Sequence, residues 1–550
     1  MSHPLEDPLY YLDNFHTLLD WVAGRYGDLL DDDERGFIVR FSRLPVAARA
    51  LLARMVMRKG ELFRVSKLVY PEIEAVGGRE SALQALADAG LVDPEPALSL
   101  EALFSLLRRA ELETFLGVPP VATRKADWCA SLSTRQPEPR PLAQWAPGLA
   151  DRVVELRDPA RYDRLRLMFF GNLRQDFSEF VLADLGIYRF ERIQLDPVSR
   201  GFHHRGEVED YLRLHRLRDR LEREGIGAME GEEGRWAVEG ALDNPWIEQR
   251  RQRLLLAYAK ELERHGHSER SLSIYALCQA QGARVRRVRL LERLGRTEAA
   301  LSLARQAQDA PESAEERQQL SRIAPRLHRR LGLPRPTVAK SAPVESFELR
   351  LPRSLSVEAA VRDHLTRPEA PVHYVENGLL NSLFGLLCWE AIFAPISGAF
   401  FHPFHTGPAD LMREGFVERR RALFDACLAE LDDDRYLGTI RRRFVDKQGI
   451  QSPFVHWGVL DQTLLERALA CLPAAHLKQW CLWLLSDLKR NRAGFPDLIQ
   501  FWPEQRRYRM VEVKGPGDRL QDNQRRMIAH CLEYDIPVSV CWVAWAEEPR

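Results

Sequence analysis

Two stretches decide the fold of the C-terminal part of this 550-residue chain, GFPDLIQFW (494–502) and YRMVEVKGPGDRLQDNQ (508–524). The first predicts a turn that enters a strand. The second predicts a strand over 508–514, a break at Gly-Pro-Gly and then a helix, after which PVSVCWVAW (537–545) forms a third strand. A hairpin followed by a strand–helix–strand crossover implies an α/β sheet of mixed direction.

Three polar residues stand at the ends of these strands: Asp497 at the start of the first, and Glu512 and Lys514 on the second. Residues two apart on a strand share one face, so Glu512 and Lys514 point the same way, with Asp497 beside them. Converging carboxylates repel one another unless a cation lies between them, and hard oxygen ligands suit Mg²⁺ or Mn²⁺. The backbone carbonyl of Val513 is a further candidate ligand. A lysine beside such a metal can orient a water or stabilise charge on a phosphate.

The ordinary alternative is a solvated cross-strand pair, which is what Glu-x-Lys usually means when it stands alone. Here Pro496-Asp497 precedes the glutamate by fifteen positions, and apolar residues such as Leu498 and Val511 surround the polar ones. A Gly-Pro-Gly turn follows the lysine directly. These neighbours favour a catalytic constellation, and the pattern is PD-(D/E)xK.

The string MVEVKGPGDRLQDNQ (510–524) resembles the core of the virus-type replication-repair nuclease (VRR-NUC) domain. The chain as a whole resembles bacterial Fanconi-associated nucleases, which are structure-specific DNA nucleases. LFRVSKLVYPEI (62–73), with the following ALADAGLV, resembles the SAP-containing DNA-binding region of that family. YVENGLLNSLFGLLCWEAIF (374–393) resembles the helix that supplies a further acidic ligand.

The resemblance implies roles for individual residues. The family's first acidic metal ligand falls on Glu376, at the start of a predicted helix, and its remaining acids fall on Asp497 and Glu512. Its lysine falls on Lys514, and the polar residue that faces the active site in related nucleases matches Gln524. Glu390, deeper in the same apolar helix, competes with Glu376 for the first position.

The rest of the chain is predicted to be mostly helical and to form several domains. We place an N-terminal helical region at 1–50, a SAP-containing or winged-helix-like DNA-binding region at 51–150, a TPR-like helical array at 151–340 and the VRR-NUC nuclease domain at 341–550. Proline-rich stretches at 120–150 and 331–347 mark the boundaries as linkers. Within the array, LERHGHSERSLSIY (262–275) resembles LERLGRTEAALSLA (291–304), with Gly266 matching Gly295, as in stacked helix pairs.

Seventy-nine basic and 79 acidic residues leave no net charge, so any charge that attracts a partner must be local. Cations concentrate in QGARVRRVRLLERLGR (281–296) and in neighbouring helices of the array. A solvated helix face is the usual meaning of such a run, but two basic clusters in one array favour a DNA-backbone groove. The resemblance to Fanconi-associated nucleases implies that the array anchors the 5′-terminal phosphate of a flap, and we expect this phosphate to contact a set of five cations: Lys260, Arg284, Arg286, Arg287 and Arg289.

Other classes of protein are excluded or disfavoured. The eight cysteines form no CxxC pair, which favours a reducing compartment, here the bacterial cytosol and its nucleoid. The N-terminal residues do not resemble a signal peptide, and no run of about 18 apolar residues predicts a membrane span. His402 and His405 have the spacing of a metal pair, but their aromatic neighbours indicate packing residues.

The resemblance implies a Mg²⁺- or Mn²⁺-dependent phosphodiesterase that cuts a 5′ flap or branched duplex near the junction. It also implies 5′→3′ exonuclease action and repair of DNA interstrand crosslinks. No Cys/His finger precedes the body, so ubiquitin binding through a zinc finger is not expected, and the long DNA-binding body favours a monomer. Two alternatives stay open: a Holliday-junction resolvase or restriction-like endonuclease, and a non-catalytic DNA-binding scaffold.

Overall fold

A computed structural model describes residues 7–119, 124–133, 138–175, 188–195, 197–336, 343–413 and 415–546. The chain divides into two units: Met1–Tyr188 with Phe202–Val208, and Arg189–Gly201 with Glu209–Arg550. In the described part of the chain, no helix combines the length and the apolar character that crossing a membrane requires.

The first unit is built from helices around a small antiparallel sheet with strand order β1-β3-β2. Its helices are α1 (Tyr10–Tyr26), α2 (Asp32–Arg43), α3 (Val46–Val56), α4 (Pro71–Ala75), α5 (Arg79–Asp88), α6 (Leu100–Leu106), α7 (Arg109–Leu116), α8 (Lys125–Ser133), α9 (Leu142–Trp145) and α10 (Pro159–Phe170). Its strands are β1 (Leu62–Arg64), β2 (Val92–Asp93) and β3 (Val153–Leu156).

The proline-rich stretch at 120–150 was expected to be a linker or a boundary, and the part of it that the structure describes contains helices. Helices α8 and α9 lie within it, and they bury Trp128 and Trp145 in one apolar cluster with Leu103 and Phe104 of α6. The indole N–H of Trp145 donates to the carbonyl of Leu98 at 2.9 Å. Proline here begins short helices instead of interrupting the packing. Pro120 and Pro137 lie outside the described residues.

The helical array occupies the first part of the second unit. Its helices are α11 (Arg205–Glu224), which begins in the first unit, α12 (Glu232–Glu239), α13 (Pro245–Arg264), α14 (Ser268–Leu277), α15 (Ala283–Arg293), α16 (Thr297–Asp309) and α17 (Ala314–Arg330). The predicted repeat corresponds to the pairs α13–α14 and α15–α16. Gly266 and Gly295 turn the chain between the members of each pair with φ of +80° and +74°, a conformation that favours glycine. Ser271 and Ala300 are small and fully buried, as the repeat predicts for helix crossings.

The C-terminal part of the second unit contains a five-stranded mixed sheet with the order β4-β8-β7-β6-β5. Its strands are β4 (Glu345–Leu351), β5 (Val372–Tyr374), β6 (Leu498–Trp502), β7 (Arg507–Lys514) and β8 (Val538–Trp545). Its helices are α18 (Val357–Leu365), α19 (Leu379–Leu387), α20 (Trp389–Ile392), α21 (Arg421–Ala429), α22 (Arg435–Asp446), α23 (Gln462–Cys471), α24 (Ala474–Ser486), α25 (Leu488–Asn491) and α26 (Asp522–Glu533).

The strand directions confirm the predicted mixed sheet. β6 and β7 are antiparallel, whereas β7 and β8 are parallel and α26 forms the crossover between them. One face of the sheet packs Val511 and Val513 against Val361 of α18, and the other packs Met510 in the large core that includes Met527 of α26. Strand β4 begins at Glu345 inside the stretch expected to be the second linker, whose residues 337–342 lie outside the described part.

Candidate active site

Asp497 lies immediately before β6 and is held by the two neighbouring strands. The N–H of Val513 in β7 donates to Asp497 Oδ2 at 2.8 Å. On the other side, the N–H of Val375, which follows β5, donates to the main-chain carbonyl of Asp497 at 2.9 Å. One backbone N–H therefore holds the carboxylate and another holds the main chain of Asp497, and neither donor moves with a side-chain rotamer.

Glu512 lies in the middle of the sheet, because β7 pairs with β6 on one side and β8 on the other. The side chain is buried, and its Oε1 accepts two hydrogen bonds. Lys514 Nζ lies 2.7 Å from this oxygen, and the Gln524 amide donates to it at 2.6 Å. The predicted shared face of Glu512 and Lys514 thus brings a buried cation onto a buried carboxylate.

Glu376 lies in a turn between β5 and α19, two residues after Tyr374. The Tyr374 hydroxyl donates to the Glu376 carboxylate. Asn377 adopts a left-handed backbone with φ of +51°, and its Oδ1 accepts the N–H groups of Gly494 at 2.9 Å and Phe495 at 3.2 Å. Because that loop leads directly into Asp497, Asn377 links the backbones that carry the first two acids.

Gly494 is required where this loop turns. Its φ is +96°, and a Cβ built at this position would lie 2.9 Å from the amide nitrogen of Asn523, at the start of α26. A side chain would therefore be strained by its backbone conformation and would also press on the neighbouring helix. The loop before Asp497 and the helix that carries Gln524 approach each other at this point.

The environment of the site disfavours the ionised forms of Asp497 and Glu512. Burial, with a contribution from the charge of Glu376, raises the pKa of Asp497 to about 6. Burial and the charge of Asp497 raise the pKa of Glu512 to about 7, although Lys514 acts in the opposite direction. Two carboxyls whose ionised forms are both disfavoured form a site that a cation would stabilise.

The donor chemistry of the site fits a hard divalent ion. Three carboxylates and the carbonyl of Val513 would offer only oxygen, as Mg²⁺ and Mn²⁺ prefer. Within the described residues, however, no three His, Cys, Asp or Glu side chains already stand in the arrangement of a metal site. Asp497 Oδ2 accepts an N–H and Glu512 Oε1 accepts from Lys514 and Gln524, so an ion would be held through the second oxygen of each carboxylate.

Glu390, the competing helical acid, lies elsewhere. It is in α20, and its carboxylate lies 3.5 Å from the guanidinium of Arg443. Its charge acts on Cys427, whereas the charge of Glu376 acts on Asp497 and Glu512. Of the two candidates, the structure brings Glu376 into the site.

Two supporting residues, Tyr374 and Asn377, were not predicted. Asn377 carries a usable signal, because Asn-Gly is a typical left-handed turn and here it follows an acid directly. Tyr374 carries no sequence signal of its role, because that role depends on the turn that brings the Glu376 carboxylate to the Tyr374 hydroxyl. The charge of Glu358, in the first turn of α18, also raises the pKa of Asp497.

The predicted phosphate-binding cations do not form one group. Arg284 is held by acids, since its Nη2 lies 2.5 Å from Glu316 and its Nε 3.5 Å from Glu312. Arg289 donates to the amide of Gln319 at 3.2 Å, and Arg287 is partly buried in α15.

Lys260 and Arg286, by contrast, come together. Desolvation lowers the pKa of Lys260, and the charges of Arg286 and Arg218 lower it further, so each of these two cations acts electrostatically on Lys260. Arg218 pairs with Glu222 on its own helix at 2.7 Å, and Arg286 lies 3.6 Å from Glu263, which also pairs with Arg293. We call Lys260, Arg286 and Arg218 the basic cluster of the array.

Three family models match the chain. The VRR-NUC domain matches residues 431–545, the helix-turn-helix (HTH) domain of FAN1 matches residues 9–93, and the Fanconi anemia-associated nuclease SAP domain matches residues 97–145. The predicted boundaries at residues 50, 150 and 340 stay predictions.

Similar proteins cover nearly the whole chain. The chain is 51% identical to the Fanconi-associated nuclease 1 homolog of Pseudomonas aeruginosa over 554 residues, 99% of this chain and 97% of that protein. It is 24% identical to the Arabidopsis thaliana homolog over 99% of this chain and 68% of that protein. The crystal structure of paFAN1 bound to 2-nt 5′-flap DNA with a gap matches with a TM-score of 0.88, 51% identity and 99% coverage of both chains. The chain therefore belongs to the Fanconi-associated nuclease family.

Proposed function

We propose that this nuclease hydrolyses the phosphodiester backbone of 5′-flap or branched duplex DNA with Mg²⁺ or Mn²⁺ as its cofactor. The observation that carries the proposal is the buried pair Asp497 and Glu512 on adjacent strands, with Lys514 against Glu512. The 5′-flap substrate is supported by the paFAN1 complexes with 2-nt and 1-nt 5′ flaps, because that protein shares half of its sequence with this chain.

Glu376, Asp497, Glu512 and the Val513 carbonyl would hold the ion. When bound, such an ion supplies a Lewis acid for the scissile phosphate and a water with a lowered pKa. Lys514 donates to Glu512 in the resting site, and its ammonium is the group that would orient the attacking water or stabilise charge on the phosphate. Gln524 fixes the Glu512 carboxylate through its amide, so it acts by positioning.

The basic cluster is the part of the array that we propose to contact the flap phosphate. Lys260 and Arg286 keep positive charge in excess of their counter-ion, which is what phosphate binding needs. Arg284 has two acidic partners and serves to join α15 to the start of α17. Arg287 and Arg289 remain candidates for contacts farther along the backbone.

The wider role follows from the family. We propose 5′→3′ exonuclease action and a part in interstrand crosslink repair, in the bacterial cytosol and at the nucleoid, by a monomer that has no ubiquitin-binding finger. All eight cysteines are free and buried, which supports a reducing compartment. The strongest rival is a Holliday-junction resolvase, which would share the same catalytic strands.

One assay separates these readings. Labelled 5′-flap, 3′-flap and four-way-junction DNA of equal length are cut with the full chain under titration of Mg²⁺, Mn²⁺ and Ca²⁺. We expect preferred cutting of the 5′ flap near its junction, with no cleavage in EDTA. Equal cutting of the four-way junction would contradict the flap reading. Full activity of an Asp497→Ala protein would contradict the catalytic assignment, whereas a parent protein that binds these substrates but cuts none of them with any of the metals would favour a scaffold.

A further inference from the structure

Helices α17 and α26 meet across a contact made of polar side chains. One face of α17 carries four polar residues at three- and four-residue spacing, which are Glu315, Gln318, Gln319 and Arg322. One face of α26 carries Asp522 and Arg526, which are four residues apart. A cavity of about 380 Å³ lies between the helices. Its lining includes Glu315, Gln318 and Gln319 of α17, Asp522 and Arg526 of α26, and Arg490 of α25. We call this contact the polar seam.

The strongest contact of the polar seam is a two-pronged ion pair. Arg322 Nη1 donates to Asp522 Oδ2 at 2.7 Å, and Arg322 Nη2 donates to Asp522 Oδ1 at 2.5 Å. One turn farther along α26, Arg526 donates to the Gln318 amide oxygen at 2.7 Å. Two parallel bonds from a planar guanidinium to a carboxylate fix orientation as well as distance.

A third basic residue closes the seam. Arg490 of α25 bonds to Gln281 of the array at 2.6 Å, to Asp487 at 3.0 Å and to Glu315 of α17. The end of the array is thus joined to α25 and α26 by three arginines and their acceptors.

The other side of the same helical turn faces the active site. Asp522 is the first residue of α26, and Gln524 is its third. The N–H of Gln521 donates to Gln524 Oε1 at 2.9 Å, which leaves the Gln524 amino group free to donate to Glu512 Oε1 at 2.6 Å. The Gln524 side-chain oxygen therefore already accepts a hydrogen bond from the first turn of α26, and this bond sets the orientation of the amino group toward Glu512.

We propose that Arg322 is a positioning residue: by clamping Asp522 it fixes the first turn of α26, and through Gln524 it holds Glu512 in the orientation that catalysis requires. This inference rests on the proposed function, because it takes Glu512 as a metal ligand. It makes the last helix of the array part of the support of the catalytic strand.

The exposure of the ion pair supports a positioning role. The side chains of Arg322 and Asp522 are 53% and 52% exposed, and ion pairs with that much solvent contribute little to folding. Partners of metal-binding groups, in contrast, change metal affinity or activity when they are removed. The pair is connected to Glu512 through two residues of the α26 backbone and the hydrogen bond from Gln524, so its effect belongs at the low end of that range.

A double-mutant cycle tests the inference, with Arg322→Gln, Asp522→Asn and the double variant of the full chain. Arg441→Gln is the matched control, because Arg441 and Glu466 form a similar two-pronged pair with 47% and 43% exposure. For each variant we would measure single-turnover cleavage of the 5′ flap, DNA affinity, Mn²⁺ affinity by calorimetry and melting temperature.

We expect each single variant to cleave about three- to tenfold more slowly and to bind Mn²⁺ more weakly, with DNA affinity within about twofold of the parent. The double variant should be no slower than either single one, because both remove the same clamp. The control should match the parent. Arg322→Lys, which keeps the charge without the fork, should restore only part of the rate.

Three results would overturn the inference. Losses that multiply in the double variant would mean that the two residues act separately. Weaker DNA binding in Arg322→Gln alone would make Arg322 a phosphate contact. An equal loss in Arg441→Gln would show a general effect of surface charge. A parent that fails to cut with either metal would instead refute the proposed function, so the two failures are distinguishable.

Discussion

The catalytic strands and the basic cluster of the array use charge in opposite ways. On β6 and β7, Asp497, Glu512 and Lys514 are buried and hydrogen-bonded, so each has one defined position. In the array, cations are plentiful, but several of them hold acids on neighbouring helices, as Arg284 holds Glu316. On the catalytic strands, the function of a side chain depends on its fixed position. In the array, the function of a cation depends on how far neighbouring acids neutralise it.

This difference means that the two regions should respond differently to substitution. Substitution of Asp497, Glu512 or Lys514 removes a charged group that no neighbouring side chain can replace. A change in the array removes one charge among many, and its effect depends on whether that charge was already neutralised. The following predictions test the contrast from its largest consequence to its smallest.

Removing a catalytic carboxylate should have the largest effect. Asp497→Asn or Glu512→Gln should slow cleavage of the 5′ flap by roughly 10³-fold or more, because charge at the metal and at the phosphate is lost together. DNA affinity in Ca²⁺ should change little. Glu504→Gln is the control, since Glu504 is an exposed acid between the same two strands. Comparable losses in Glu504→Gln would remove the distinction between buried and exposed acids.

The metal-free protein should lose stability as the pH rises. Burial raises the folded-state pKa of Glu512 from 4.5 to about 7, so the folded state holds a proton that the unfolded state has released. That contribution is complete below pH 4.5 and disappears as the pH passes 7. Denaturation in EDTA should show a decrease in unfolding free energy on the order of 1–3 kcal/mol across this window.

Two comparisons isolate the carboxyl pair. Glu512→Gln should flatten the decrease, and Mg²⁺ should reverse it above pH 7 because the ion replaces the missing proton. A parent and a Glu512→Gln variant with the same pH slope would contradict the electrostatic description of the site.

The basic cluster should affect binding without affecting the chemistry. Lys260→Ala with Arg286→Ala should weaken 5′-flap binding by about tenfold at moderate salt and reduce the slope of log affinity against log salt by about 2. The cleavage rate at saturating enzyme should stay near that of the parent. Arg317→Ala, an exposed cation on α17, is the control. An unchanged salt slope would remove these two residues from the DNA path.

Arg284 should behave as a structural residue, with the smallest effect. Arg284→Gln leaves the buried Glu316 without its closest cation, so the unfolding free energy should fall by about 1 kcal/mol. Flap affinity and its salt slope should match those of the parent. A tenfold loss of affinity with unchanged stability would return Arg284 to the phosphate-binding set.

The hairpin and crossover could be predicted because their signals are local. Strands predicted at 494–502, 508–514 and 537–545 appear as Leu498–Trp502, Arg507–Lys514 and Val538–Trp545. The edge strands β4 and β5 were not predicted. β5 has only three residues, and β4 is mostly exposed and pairs in parallel with β8, nearly 200 residues later. The sequence of β4 nevertheless alternates, since Phe347, Leu349 and Leu351 share one apolar cluster, so this strand could have been predicted from its pattern.

The acidic site could be predicted in part. Strand periodicity placed Glu512 and Lys514 together, but only resemblance indicated Glu376, and it was expected at the start of a helix. The structure places it in a turn, three residues before Leu379, because Asn377 adopts a left-handed backbone that helices exclude. The cations of the array were harder still, since a run of arginines does not reveal which ones face an acid on another helix.

The order of the strands determines how the active site is lost on heating. β7, which carries Glu512 and Lys514, is the central strand, with β6 and β8 beside it and β5 and β4 at the edges. Amide protons of a central strand exchange last, because they are released only when the whole sheet opens, whereas edge strands fray at little cost. Loss of Glu512 and Lys514 should therefore coincide with cooperative unfolding of this sheet, whereas Glu376, which lies two residues after the end of the edge strand β5, should be displaced earlier when that edge frays.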